Sequence, residues 1–394
     1  MRTRLIAFVS ALGSLFFLPG CSGDNGTFYR VVQYDPKLGI AGRYEIGADQ
    51  ASSVNCYYVS HDNEHRVDTV EFRRQGRPAV DDFFGAAKVV FGYGEGFERR
   101  SFLDARGRLS PNADSVYSVR LRLDENGDPI DLFNYSKEGP GMQDRYGVTQ
   151  YIFTLDDEGR IVKTVRINEE GERMLDRLGL YQTRFAFDEA GNIAERSNYS
   201  KDGERLAAAD NVAIIRWQYD EHGNRIEEQY LGADEQPVER KDLGIALLRW
   251  RFDEKGDSIE ARYFDVAGHL AVRKDLGVAI IRYKYDASGN LVERRYFGAD
   301  EQLKDRKDLG IAVITTKYDT SGQSVEERYF GIDDQPKETK TTKLIVLRRE
   351  YDLQGNLLRE TGEDKNGKKV DVEKKTAPAK KKKSAPKVDE DDFW

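Results

Sequence analysis

Residue types that do chemistry cluster in one short stretch of this 394-residue chain, His61-Asp62-Asn63-Glu64-His65. Two imidazoles and two carboxylates so close together suit zinc or nickel. The stretch also sits where other parts of the chain place a hairpin turn, and polar residues are the default in a turn. It is therefore read as an exposed turn. Asp124-Glu125-Asn126-Gly127-Asp128 offers oxygen ligands for calcium, but its spacing misses the calcium-loop pattern, and it too reads as a turn. No nucleophile motif, phosphate loop or matched acid–base pair stands out, and four histidines leave little material for catalysis. The sequence thus assigns no catalytic residue, no metal and no cofactor, and points to a non-enzymatic protein.

Two further chemistries remain. Tyrosines recur along the chain, and a row of them on a sheet could hold glycan strands such as peptidoglycan by ring stacking. The same row, alternating along strands and flanked by Ile and Val, reads more simply as core. The second chemistry is acylation. Arg2 and Arg4 precede an apolar run from Leu5 to Leu18, followed by Leu18-Pro19-Gly20-Cys21, and a run this short is a secretory signal rather than a membrane span. The junction resembles a bacterial lipobox, although Pro19 departs from the usual small or branched residue. The resemblance implies a signal peptide over 1–20, lipidation of Cys21, and membrane attachment through that lipid, with Ser22 favouring the outer membrane, facing the periplasm or the cell surface. Ordinary secretion with Cys21 as a free thiol is the alternative. Only Cys56 remains after Cys21, so no disulfide framework exists. Removing 1–20 takes the formal charge from −8 to −10, because two arginines leave and no acid does, which argues against nucleic acid as a partner.

The elements that must position any site are repeats. Tyr219, Phe252, Tyr285, Tyr318 and Tyr351 are spaced by 33 residues, and each opens a unit of aromatic residue, Asp, two variable residues and Gly. An aromatic pair or its remnant follows (Tyr230-Leu231, Tyr263-Phe264, Tyr296-Phe297, Tyr329-Phe330), then Lys-Asp-Leu-Gly (Lys241 to Gly244, Lys274 to Gly277, Lys307 to Gly310). Such periodicity marks a repeat architecture in which each unit buries its apolar face only against neighbours. Units of 32 residues starting at Leu123, Leu155 and Phe187 precede these. There are about eleven unit starts in all, with irregular units at both ends, as a repeat array requires.

Each unit reads as a β-hairpin. Asp first and Gly fourth suit a type I turn closed by a left-handed glycine. The same left-handed need recurs at Lys-Asp-Leu-Gly, where the unit from Phe187 carries Asn211, the residue that tolerates that conformation next best. Ile215, Trp217 and Tyr219 share one strand face, with Ile226 and Tyr230 expected opposite, while Arg216 and Gln218 share the other with Glu227 and Gln229. One aromatic-aliphatic face and one charged face describe an antiparallel sheet solvated on one side. The segment Pro237 to Leu243 is the expected cover for the apolar face. About twenty strands at ~4.8 Å would give a body on the order of 100 Å if the sheet stays open.

The organisation expected is a signal peptide over 1–20, a lipidated linker over 21–27, repeats over 28–370 and a disordered tail over 371–394 rich in Lys, Ala and Pro. Lys380, Lys381, Lys382 and Lys383 suit anionic headgroups, and Phe393 and Trp394, after four acids, suit a partner-binding anchor. The Tyr-Asp-x-x-Gly-Asn core at Tyr219, Tyr285 and Tyr351 resembles the YD repeat of bacterial RHS-type proteins, and more loosely MORN-type hairpin arrays. The resemblance implies repetitive antiparallel β-structure on an exported protein, without implying a toxin-enclosing shell. The reading is an all-β, elongated, open hairpin array serving as an envelope scaffold or protein-binding module. The alternative is an envelope glycan-binding protein using the aromatic face.

Overall fold

The structure is a computed structural model that describes residues 26–35, 39–81, 84–352 and 357–372. Twenty-four strands among them form one antiparallel sheet, and the only helix among them is the single turn Ala48–Ala51. The first strands are β1 (Gly26–Asp35), β2 (Gly39–Ile46), β3 (Cys56–His61) and β4 (Val67–Arg74). β1 pairs with both β2 and β3, so β2 forms one edge, and hairpins follow one another from β4 to Lys369–Asp371 at the other. The two edges do not pair, and the sheet is open, as the repeats imply.

The turn chemistry explains the repeating motif residue by residue. At Tyr219-Asp220-Glu221-His222-Gly223-Asn224, the Gly223 amide donates to the Asp220 carbonyl (2.9 Å) and the Asp220 amide to the Asn224 carbonyl (3.0 Å). Asp220 Oδ1 accepts from the amides of His222 (2.9 Å) and Asn224 (2.8 Å), and Asn224 Nδ2 donates to Asp220 Oδ2 (2.8 Å). Gly223 has φ +76 and Gly289 φ +79, the left-handed region where a side chain is strained; Gly355 lies outside the described residues. Asn211 has φ +75, in step with φ +68 at Gly244, so backbone geometry is what that position serves.

The marker tyrosine does a different job. Its hydroxyl donates to a backbone carbonyl of the preceding hairpin: Tyr219 to Ile193 (2.8 Å), Tyr318 to Leu291 (3.0 Å) and Tyr351 to Ser324 (3.2 Å). Each of these units is thereby latched to the one before it. One expectation needs correcting. The bulge between Gln218 and Tyr219 sets Tyr219 opposite Arg225 and leaves Ile226 without a cross-strand partner, while the regular register before it pairs Glu228 with Trp217. Ile215 does face Tyr230, as expected.

The core lies between the sheet and the segments joining successive hairpins. Tyr230, Tyr263 and Tyr296 are fully buried with Ile215, Leu248 and Ile281, covered by Leu243, Ile245, Leu276 and Val278. Burying one such side chain contributes roughly 1.5–3 kcal/mol. The expected cover, Pro237 to Leu243, supplies Val238 and Leu243 and continues to Ile245, and the amides of successive segments form a ladder: Lys274 to the Leu243 carbonyl (2.7 Å) and Lys340 to that of Leu309 (2.7 Å).

Two turn glycines separate backbone strain from crowding. A methyl at Gly191 (φ +86) meets nothing within 4 Å, whereas one at Gly289 runs into the Arg30 guanidinium. Gly191→Ala should cost about 1 kcal/mol in urea unfolding, Gly191→Asn less, and Gly289→Ala clearly more than either. Equal losses for the two alanine variants would show that Arg30 does not rest on that turn.

Candidate binding cavity

The sheet curls until its N-terminal strands rest on the turns of later repeats. From β2, Arg43 donates to the His222 carbonyl, and Tyr44 Oη accepts from Asn224 Nδ2 at 2.7 Å. From β1, Arg30 reaches Asp257 at 3.1 Å. Just before β3, the Asn55 amide donates to the Ser288 carbonyl (2.9 Å), and after β4 Arg77 donates to Ser321 Oγ (2.7 Å). Four successive turns, one repeat apart, thus each receive one part of the N-terminal sheet.

Between these strands and the inner face of the repeats lies a cavity of about 900 Å³. That is the size range of small-molecule sites. Trp217, Trp250 and Tyr283, at equivalent positions of three repeats, line it together with Tyr219, Phe252, Tyr285 and Tyr318. The aromatic residues therefore run from closed core, as at Tyr230 and Tyr263, to cavity wall, with Tyr296 contributing to both. Six arginines and two aspartates are the charged residues among its described lining, which makes the interior electropositive although the chain is acidic.

Most of those charges are committed. Burial outweighs Arg30 and raises the Asp257 carboxyl above its ordinary value, so this pair is costly to bury and acts mainly to fix where β1 docks. Arg225 stacks over Trp217 (4.7 Å) and reaches Glu228 (3.2 Å), which also accepts from Trp217 Nε1 (2.6 Å). Arg306 reaches Asp308 (2.9 Å) and lies over Tyr296 (5.5 Å). Arg74 and Arg294 have no carboxylate partner among the described residues, and Arg30 Nε, on a side chain only 6% exposed, has no hydrogen-bond partner there.

A repeating clamp escaped the sequence reading. Arg273, 1% exposed, places its guanidinium over Tyr263 (5.0 Å), donates to the Tyr263 hydroxyl (3.2 Å) and pairs with Asp275 (2.7 Å). Arg240 and Arg306 repeat the arrangement on Tyr230 and Tyr296. The available signal was the Arg directly preceding each Lys-Asp-Leu-Gly.

The outer face carries a ladder between neighbouring hairpins. Arg216–Glu195, Arg249–Glu227, Arg282–Glu260 and Arg348–Glu326 each meet at 2.8 Å. His61 to His65 forms the turn between β3 and β4, where Asp62 accepts from the amides of Glu64 and Arg66 and pairs with the Arg66 side chain. Asp124 closes its turn through Gly127 and Asp128 in the same way. Burial pushes the Cys56 thiol up to about 11, which leaves it unreactive at neutral pH. Cys21, Lys380, Lys381, Lys382, Lys383, Phe393 and Trp394 lie outside the described residues.

No family model and no curated protein matches the chain. Among solved structures it is similar to a TcdB2-TccC3-TEV crystal structure, at 12% identity over 81% of this chain and 16% of that one, TM-score 0.30. A Tc holotoxin pore from Photorhabdus luminescens gives 12% identity, 80% and 18% coverage and 0.27. A porin-like protein from Bacteroides uniformis gives 6%, 61%, 81% and 0.23. The chain spans less than a fifth of the length of the first two, and no conclusion about it follows from scores this low.

Two outcomes test the electrostatics. Breaking a buried pair by removing one partner costs about 3–5 kcal/mol, so Asp275→Ala should lower stability by several times more than Asp242→Ala, whose Arg240 is less buried. The ladder sets a pH dependence. Burial of Glu260 and Glu326 opposes ionisation, but hydrogen bonds from Arg262 and Arg282, and from Arg328 and Arg348, outweigh it and lower both carboxyls below 4.5. Their contribution is present above that value and is lost as pH falls through the depressed folded value. Thermal melting between about pH 6 and 3 should show this loss, and Glu260→Gln should flatten it. An unchanged slope in that variant would remove Glu260 from the account.

Proposed function

We propose that the chain is a non-enzymatic scaffold or protein-binding module of a bacterial envelope, held at the outer membrane by lipid on Cys21. The observation that carries this reading is the outer ladder. Alternating Arg and Glu recur at one height along a continuous sheet, broken once where Thr315 faces Glu293, and connecting segments of the chain cover its apolar core. A regular charge pattern on a rigid support selects a partner of complementary pattern and rejects others.

Envelope proteins co-purifying with the wild type should be lost from Arg249→Glu/Arg282→Glu, with circular dichroism unchanged. Retention of the same set would exclude the ladder as the docking face. Labelled palmitate should enter the wild type and not Cys21→Ser; equal labelling would remove the lipid anchor.

A second reading, envelope glycan binding, is favoured by one observation. Trp217, Trp250 and Tyr283 line the cavity two strands apart, about 10 Å. On that reading Trp250→Ala loses retention on peptidoglycan, and unchanged retention counts against it.

A further inference from the structure

We propose that the acidic, aromatic segment Asp389 to Trp394 of this same chain occupies the cavity, so that the protein carries its own ligand. The inference goes beyond the scaffold reading and does not depend on it. Three observations carry it, beginning with charge. The cavity is lined by arginines in excess over aspartates, two of them, Arg74 and Arg294, without a carboxylate partner among the described residues. The segment supplies Asp389, Glu390, Asp391 and Asp392 in a row. Carboxylates on guanidinium groups form the strong, charge-assisted class of hydrogen bond, and the orphaned Arg30 Nε is one more donor inside the site.

Ring chemistry is the second. Phe393 and Trp394 follow the acids directly, and the cavity wall is built from Trp217, Trp250, Tyr283 and Tyr285. Aromatic pairs strengthen association beyond their buried area, and a cavity of about 900 Å³ has the size range that takes a ligand of this kind.

Reach is the third. The last described residue, Val372, donates its amide to the Glu360 carbonyl (3.0 Å), and the strand carrying Glu360 pairs with the one carrying Tyr351, which lines the cavity. The chain therefore leaves the sheet about 10 Å, two strand spacings, from the cavity wall. Residues 373–394 follow; a random coil of that length spans about 25 Å r.m.s.. The lysines at 380–383 precede the acids and would stay outside an arginine-lined interior, so only the tip enters.

The experiment uses the full chain with photoreactive benzoylphenylalanine in place of Phe393. Irradiation should give adducts within one molecule, mapped by mass spectrometry to the peptides bearing Trp217 to Arg225 and Tyr283 to Arg294. Arg74→Glu/Arg294→Glu should lower their yield about tenfold, the loss of a charge-assisted contact. Adding Asp389→Lys/Asp391→Lys should restore it, which a misfolded double variant could not do. The proposal is overturned by adducts joining two molecules, by adducts confined to the outer Arg/Glu face, by no adducts, by a yield indifferent to the reversals, or by a co-purifying acidic saccharide in the cavity.

Discussion

The Asp-closed turn is the constraint on which the rest of this structure depends. Asp220 satisfies two amides of its own loop, and Gly223 takes the conformation that lets the second strand return one residue out of step. The bulge so created decides which residues face inward. It brings Arg225 opposite Tyr219, where its guanidinium stacks over Trp217, and the regular register next to it pairs Glu228 with Trp217, in place of a uniformly apolar stripe. The same loops, stacked one repeat apart, then offer a column of backbone and side-chain groups to β1, β2 and Asn55. Local turn chemistry thereby builds both the ladder and the seat for the N-terminal strands.

What was legible in the sequence follows from how local each cause is. Hairpin positions, left-handed glycines and the substitution by Asn211 all depend on neighbours within a few residues, and each could be read directly. The covering role of Pro237 to Leu243 was legible because a one-sided apolar sheet must be covered by something. The meeting of Arg30 with Asp257 joins residues 227 apart and leaves no periodic trace. The cavity was hidden for the same reason, since it exists only once the N-terminal strands have folded back. Ile226 was misplaced because strict alternation cannot register a bulge.

The change of period from 32 to 33 also has a local origin. In the shorter units the connecting turn runs from Asp144 to Val148, with the Gly147 amide donating to the Asp144 carbonyl. In the longer ones it runs from Arg240 to Ile245, with the Gly244 amide donating to the Arg240 carbonyl. One more residue sits in the turn, and the residue opening it changes from a buried acid (Asp144, Asp176) or Ala208 to a cation. Asp144 accepts from the Tyr151 hydroxyl at 2.6 Å, while Arg240, Arg273 and Arg306 stack on tyrosines and pair with the Asp two residues on.

That exchange bears on stability. A guanidinium buried alone would be prohibitive, but here each one has a ring beneath it, a hydroxyl at its edge and a carboxylate beside it. Most of the cation's partners thus come from its own unit, although Arg240 also lies 3.4 Å from Asp210 of the preceding repeat. In the unit from Tyr318 the position of the Arg falls to Thr339, which bonds Thr342 at 2.7 Å, and Tyr329 turns its hydroxyl to Glu327 at 2.8 Å. Losing the cation there frees the tyrosine to take a carboxylate on its own strand. This repeat, next to the C-terminal edge of the sheet, therefore closes its apolar face with small hydroxyls, where the repeats before it use a stacked arginine.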